Sequence, residues 1–315
     1  MTTYGVHAGT EGASMEEVLA FWRKVEALGF AWISVWDHFN PIMGGARGSF
    51  EAVASHAALA MATSRVRVGV LVYAVGYRNP AILANAIATI DHLSHGRVEA
   101  SLGAGWAQGE YDAYGIPFPP LHDRLDAMAE GVECLARLLH EERVTYAGAH
   151  VCLRDAVLGV RPVQAHVPVW LGGMGEKRTI PLAARFADGW DAPLGPSPEV
   201  FGHKVAVLER ACERIGRDPT TIHRSAHIDI VRDEQQLREV FGDYEGPEVR
   251  EAVLYGSDER LLAGVHAFEE VGADQILFAG SVMGGTEQLE RIAGLLGLSV
   301  PAAAGASGLD PGGTI

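Results

Sequence analysis

The chain has 315 residues, 48% of them hydrophobic and 21% charged, an ordinary composition for a soluble globular protein of one large domain or two small ones. Its 25 basic residues against 40 acidic ones leave a formal net charge of -15, which speaks against nucleic acid or an anionic membrane as a partner, because phosphate surfaces require a basic face. The apolar stretches are short and broken by Gly, Arg or Asp, so neither a transmembrane segment nor a signal peptide is expected. Cys134, Cys152 and Cys212 are isolated, with no zinc or disulfide spacing; a cytoplasmic protein with buried bystander thiols is expected.

A strand over residues 4–8 leads to Ser14, which with Glu17 has the spacing of a capping box. Val18, Phe21, Trp22, Val25 and Leu28 then recur at helical spacing until Gly29. The second strand, 30–36, ends in Asp37-His38 and runs into Pro41 and a glycine-rich loop. A helix over 50–62 precedes a third strand over 66–72, whose uniform apolarity marks cover on both faces. Asn79-Pro80 opens a helix with Ile82, Ile87, Ile90 and Leu93 along it, and 97–102 is the fourth strand. Residues 103–121, rich in Gly, Pro and aromatics, read as a long loop of the kind that carries function. A helix over 123–139, a hairpin over 143–153, a fifth strand over 167–171, a helix over 176–187, a short sixth strand over 189–191 and a helix over 198–215 follow. The pattern closes with a strand over 222–231, helical segments between 234 and 270, a strand over 275–279 and a helix over 286–296. Residues 301–315 lack periodicity and are expected to be a disordered tail.

Eight strands, each followed by helix, predict an α/β fold: a single (β/α)8 TIM barrel over residues 1–300 with insertion segments. A doubly wound sheet would want a phosphate loop after the first strand, and Gly9-Thr10-Glu11-Gly12-Ala13 does not supply one.

In such a barrel the strand ends share one mouth, where the chemistry belongs. The second strand brings Asp37 and His38 there, the third Leu71, Val72, Tyr73 and Ala74, then Gly76, Tyr77, Arg78, Asn79 and Pro80. The fourth brings Gly105, Trp106, Gln108 and Glu110, and the fifth Gly172, Gly173, Gly175, Glu176, Lys177 and Arg178. An imidazole at neutral pH exchanges protons readily, and Asp37 could hold its tautomer or bind a ligand directly. The alternative is a solvated acid–imidazole pair at an ordinary strand end. Three glycines, two cations and a helix start in residues 172–179 suit a phosphate group, and equally describe a tight strand-to-helix turn. Arg78 has two readings, anion binding or pairing with a surface acid; Trp106 offers a stacking face or a packing plug. No GxSxG elbow and no HxH pair appears, the remaining histidines are scattered, and no lysine stands at a strand end, so nucleophilic, metal and Schiff-base chemistry are disfavoured. The roof loops, 39–49, 105–121 and 194–198, suggest a mostly apolar cavity with no cluster of charges for a strongly anionic ligand.

Taken together, Trp36-Asp37-His38, Arg78-Asn79-Pro80, Leu93-Ser94-His95-Gly96-Arg97, Gly103-Ala104-Gly105-Trp106 with Glu110, Leu171-Gly172-Gly173 and the run Leu182 to Trp190 resemble the bacterial luciferase-like superfamily, and within it the branch dependent on the deazaflavin coenzyme F420. The resemblance implies an insertion-bearing barrel, a homodimer, and F420 at the mouth, with Asp37 and His38 beside the ring and His38 as proton donor. It further implies a non-proline cis peptide at Leu71-Val72 and a phosphate site at Gly172, Gly173 and the turn 175–178. Trp106 departs from the sugar-phosphate dehydrogenases of the family, which carry a carboxylate there. Residues 193–198 and 244–251 match poorly. The expected activity is hydride transfer between the deazaflavin C5 and a small organic substrate; an FMN-dependent two-component monooxygenase and a non-catalytic flavin-binding barrel are the alternatives.

Overall fold

The computed structural model describes residues 2–40, 48–193, 195–241, 253–281 and 285–300; the expected tail, much of the 39–49 roof and the poorly matching segment 244–251 lie outside or largely outside them. Strands β1 (Thr3–Gly9), β2 (Trp32–Val35), β3 (Arg67–Val70), β4 (Tyr73–Ala74), β5 (Ala100–Gly103), β8 (Val169–Gly172), β9 (Gly189–Ala192), β10 (His223–Ile230) and β12 (Gln275–Ser281) run parallel in the order β3-β2-β1-β12-β10-β9-β8-β5-β4, with β11 (Val253–Leu254) beside β10. β3 and β4 are one stave interrupted between Leu71 and Val72, where the peptide bond is cis. A parallel bridge between Val68 and Val98 joins β3 to the approach of β5 and closes the ring. Eight staves result, as the alternation of elements predicts. The hairpin β6 (Val144–Ala147) and β7 (Cys152–Ala156) stands apart.

Around the barrel lie α1 (Met15–Ala27), α2 (Ala52–Ala62), α3 (Pro80–Ser94), α4 (Gln108–Ala113), α5 (Leu121–His140), α6 (Thr179–Phe186), α7 (Pro198–Ile215), α8 (Glu234–Phe241), α9 (Asp258–Glu270) and α10 (Glu287–Leu295). Helix starts follow local chemistry. Ser14 and Glu17 form the reciprocal capping box, Asn79 accepts from the Ala81 amide before Pro80, and Ser197 precedes Pro198. Strand alternation sends Val6, Ile33, Val35, Val68 and Val70 outward to the helices. Trp32, Leu71, Trp170 and Leu277 point inward and fill the barrel below its mouth. Arg97, from one of the motifs that carried the resemblance, is a brace remote from the mouth. Its guanidinium donates to the carbonyls of Ala60, Thr63, Val66 and Ser94 and ties the start of β3 to the end of α3.

Three expectations need correction. The stretch 103–121 is not all loop: it contains α4, anchored because Glu110 and Tyr111 are buried. α6 begins at Thr179, and residues 176–178 form a turn. Cys134 and Cys212 are buried, but Cys152 is exposed on the hairpin, because β7 covers nothing on that face. Among the described residues no helix is long and apolar enough to cross a membrane, and no group of three or more His, Cys, Asp or Glu is placed to hold a metal ion.

Candidate active site

The end of β2 is held by two separate carboxylate systems. Asp37, only 3% exposed, accepts from the Ala74 amide at 3.0 Å and from Arg78 through both oxygens, at 2.6 and 2.9 Å. Arg78 also grips Glu51, whose other oxygen caps α2. Burial lifts the Asp37 carboxyl above its ordinary range, and Arg78 works against that rise. Arg78 thus pairs with one buried and one exposed acid, and its charge is committed to them. Asp37 acts on the shape of the site: it stitches β2 to β4.

His38 belongs to the second system. Its Nδ1 lies 2.8 Å from Glu110 Oε2, which also accepts from Tyr77 Oη at 2.7 Å; Glu110 Oε1 takes the amides of Phe39 at 2.6 Å and Asn40 at 2.8 Å. Burial opposes the charge on Glu110, but the Asn40 amide, Tyr77 and His38 outweigh it and hold the carboxyl below its ordinary range. A carboxylate facing Nδ1 requires the proton to reside there, so Nε2 is the nitrogen left to accept or return a proton. Among the described residues Nε2 has no hydrogen-bond partner. The His38 side chain is 12% exposed, enough for a ligand to reach and too little for bulk water to compete freely. Trp106, 65% exposed, stands edge-on to the imidazole with centroids 5.3 Å apart, so it walls the mouth without plugging it.

The floor beside His38 is shaped by Val72. A Cβ on Gly103 would lie 2.4 Å from Val72 Cγ2, and one on Gly172 would lie 2.8 Å from Val72 Cγ1; both glycines are there to seat that side chain. Gly105, at φ +73°, is pressed against Tyr111 in the same way, and its carbonyl accepts from Arg124.

The turn after β8 is open. The five amides of residues 174–178 donate to no described acceptor, and α6 has no side-chain cap. Such a run of free N–H groups at a helix start is an anion cradle. Gly173 has no share in it, since its amide donates to the Asp191 carbonyl and its carbonyl accepts from Trp190. Glu176 pairs with His203 and Lys204, and Arg178 with Asp126; Lys177 has no such partner among the described residues.

Of the residues singled out from sequence, Asp37, His38, Val72, Ala74, Gly105, Trp106 and Gly172 surround the mouth, with Arg78 behind Asp37 and Leu71 in the barrel filling just below. Tyr73 is fully buried with its hydroxyl on His56 of α2, Asn79 is a helix cap, and Gln108 is exposed at the start of α4. The sequence places Glu110 and Tyr77 at the mouth without indicating a role for either, and nothing in it singles out Glu51. The histidines taken as scattered are not scattered in space. His7 of β1 and His227 of β10 meet with ring centroids 4.8 Å apart, and Asp191 of β9 lies 3.0 Å from His227. Inward parity on each strand was the signal that could have found them.

A parallel eight-stave barrel with a carboxylate-backed imidazole at its C-terminal mouth and an anion cradle three staves away is a frame suited to binding a cofactor with a phosphate tail. The chain belongs to the luciferase-like monooxygenase family, whose model matches residues 1–245. It is 31% identical over 216 residues to an F420-dependent glucose-6-phosphate dehydrogenase of Microbacterium testaceum, covering 68% of this chain and 63% of that protein. It is 33% identical over 213 residues to the enzyme of the same description from Kineococcus radiotolerans, covering 66% and 61%. The chain therefore matches somewhat less than two thirds of these relatives' length. An F420-dependent secondary alcohol dehydrogenase, solved with an F420-acetone adduct, has the same fold at a TM-score of 0.81 and 23% identity, covering 94% of this chain and 99% of that one.

Proposed function

We propose that this protein is a coenzyme F420-dependent oxidoreductase acting on a small or medium organic substrate, with His38 passing the proton that accompanies the hydride. The observation that carries the reading is the His38–Glu110 couple: an accessible imidazole whose proton is pinned to Nδ1 beside a recessed floor. The free amides of residues 174–178, with Lys177 beside them, fit the phosphate of such a cofactor, and the Val72 shelf over Gly103 and Gly172 fits a flat ring. When bound, the deazaflavin supplies hydride transfer at C5. His38 Nε2 takes up or returns a proton at the substrate, Glu110 stabilises the imidazolium formed in the course of it, and Asp37 with Arg78 keeps β2 and β4 in register beneath both.

A homodimer in the cytoplasm is part of this reading; Met61 on α2 and Ile82 and Leu93 on α3 are exposed apolar residues suited to a second copy. Sedimentation or light scattering measures that state, and a monomer removes it. Fluorescence titration tests the cofactor: F420 should bind and FMN should not. His38→Ala should keep F420 affinity and lose turnover of whichever substrate a screen reveals. Tight FMN binding with oxygen consumption would replace this reading with that of a two-component monooxygenase.

A further inference from the structure

The wall of the mouth across from His38 carries acidic side chains on β9 and β10, beneath the mostly apolar roof expected from the loops. β9 lies four staves from β2 and presents Asp191 inward; β10, next to it, presents Ser225, His227 and Asp229 on the same parity. Asp191 is 1% exposed; its Oδ1 forms an ion pair with His227 Nε2 at 3.0 Å, and its other oxygen has no hydrogen bond among the described residues. Ser225 Oγ, just below, is buried without a hydrogen-bond partner. A buried hydroxyl left unmet beneath a carboxylate with an uncommitted oxygen is a costly arrangement unless something else binds there. Asp229, partly exposed, has neither hydrogen bond nor ion pair among the described residues.

Asp229 sets the sign of this wall. Burial raises its carboxyl above the ordinary range, and His227 works against that rise. Burial disfavours the His227 imidazolium, but Asp191 and Asp229 outweigh that and draw a proton onto it. Burial, His227 and His38 together disfavour a charge on His7. With both aspartates ionised, the wall keeps one net negative charge when His227 is charged and two when it is neutral. Arg78, on the His38 side of the mouth, is spent on Asp37 and Glu51. A phosphorylated sugar, the kind of substrate for which the glucose-6-phosphate dehydrogenases are named, would bring a dianion against carboxylates.

We infer that Asp191, His227 and Asp229 form the substrate-recognition wall of this site, and that the substrate carries a positively charged nitrogen close to its reacting carbon. This rests on the oxidoreductase reading above, since it assigns the space facing His38 to substrate. A cationic nitrogen would take the free oxygens of Asp191 and Asp229, while His227 holds the two carboxylates at a fixed separation.

Calorimetry on the F420-loaded protein tests it with pyrrolidine, protonated at neutral pH, against cyclopentanol, a neutral ring of the same size, and glucose 6-phosphate. Pyrrolidine should bind about tenfold more tightly than cyclopentanol, the worth of one charge-assisted bond, and glucose 6-phosphate should not bind. Asp229→Asn should bring the two rings to near parity while leaving the F420 dissociation constant unchanged; Asp191→Asn, checked for folding by circular dichroism, should do the same. Equal affinity for the two rings, or binding of the sugar phosphate, overturns the inference. A variant that weakens F420 and leaves the ring preference intact shows that the wall faces cofactor, and overturns it as well. Should the protein bind no F420 at all, the oxidoreductase reading fails, and the same titrations on the cofactor-free protein still decide whether the wall prefers a cation.

Discussion

Replacing Glu110 by Gln separates the proton chemistry of this site from its architecture. The amide has the carboxylate's shape and can still offer its carbonyl to the Phe39 and Asn40 amides, so the turn after β2 keeps its tie to α4. The other end of the side chain changes from acceptor to donor and faces His38 Nδ1 and Tyr77 Oη, both now within 2.8 Å of a carboxylate oxygen. Tyr77 can rotate its hydroxyl. His38 must move its proton from Nδ1 to Nε2, which removes the lone pair from the nitrogen that faces the ligand. Bonds to a charged partner are worth about 1.5–3 kcal/mol against about 0.5–1.5 for neutral ones. With four bonds weakened, a loss of about 2–4 kcal/mol of stability is expected. A wrong tautomer and an unsupported imidazolium should lower turnover by about 10²–10⁴-fold.

Nitrogen-15 NMR of histidine-labelled protein reads the tautomer directly, with His38→Asn assigning the signal. Wild type should show a protonated Nδ1 and the Gln variant a protonated Nε2. The stability difference has a definite pH sign. The folded Glu110 carboxyl lies below its ordinary 4.5, so its contribution is complete above that value and fades as pH falls through the folded one. Denaturation curves of wild type and variant should therefore diverge at neutral pH and approach each other in acid. A wild-type Nε2–H tautomer, or a stability gap that does not shrink below pH 4.5, refutes the reasoning.

Other perturbations test other parts. Arg78→Met strands a carboxylate that is almost wholly buried and should cost about 3–5 kcal/mol in urea denaturation; a cost under about 1 kcal/mol would show that Asp37 is neutral or solvated. Gly103→Ala drives a methyl into Val72 and should destabilise by about 1–3 kcal/mol, much of it recovered in the double variant with Val72→Ala; simple additivity would refute the packing account. If the turn holds the cofactor phosphate, Lys177→Met should weaken F420 by about tenfold and leave the phosphate-free ribityl deazaflavin untouched; equal weakening of both would refute that placement. A thiol reagent should label Cys152 alone in the native protein, because burial pushes the Cys134 thiol up to about 12 and also shields Cys212; native labelling of either would mean that α5 or α7 opens.

Most of the barrel was legible because its signals are local: caps such as Ser14 and Asn79, apolar strand runs, glycine stops. The location of the mouth followed from strand order. What stayed hidden was the partner of each charged side chain, which depends on contacts between residues far apart in sequence. Arg78 meets Asp37 across 41 positions and His38 meets Glu110 across 72. α4 was lost inside a Gly- and Pro-rich stretch because six residues are too few for periodicity, and Glu110 and Tyr111 define it by burial instead.

The two carboxylate systems at the end of β2 also explain how His38 keeps a carboxylate although the ring beside it at the mouth is the indole of Trp106. Glu110, four residues on from Trp106, reaches Nδ1 and leaves Nε2 clear. A carboxylate behind the imidazole sets its tautomer and supports its charge; a carboxylate in front would itself compete for the substrate's proton. An acid behind the ring leaves Nε2 as the one nitrogen able to exchange a proton, and it leaves the Trp106 side as an apolar wall. The remaining charge in the mouth then lies opposite, on Asp191 and Asp229. A substrate held between an indole and two carboxylates is selected for an apolar flank and a positive one, a combination that a sugar phosphate lacks.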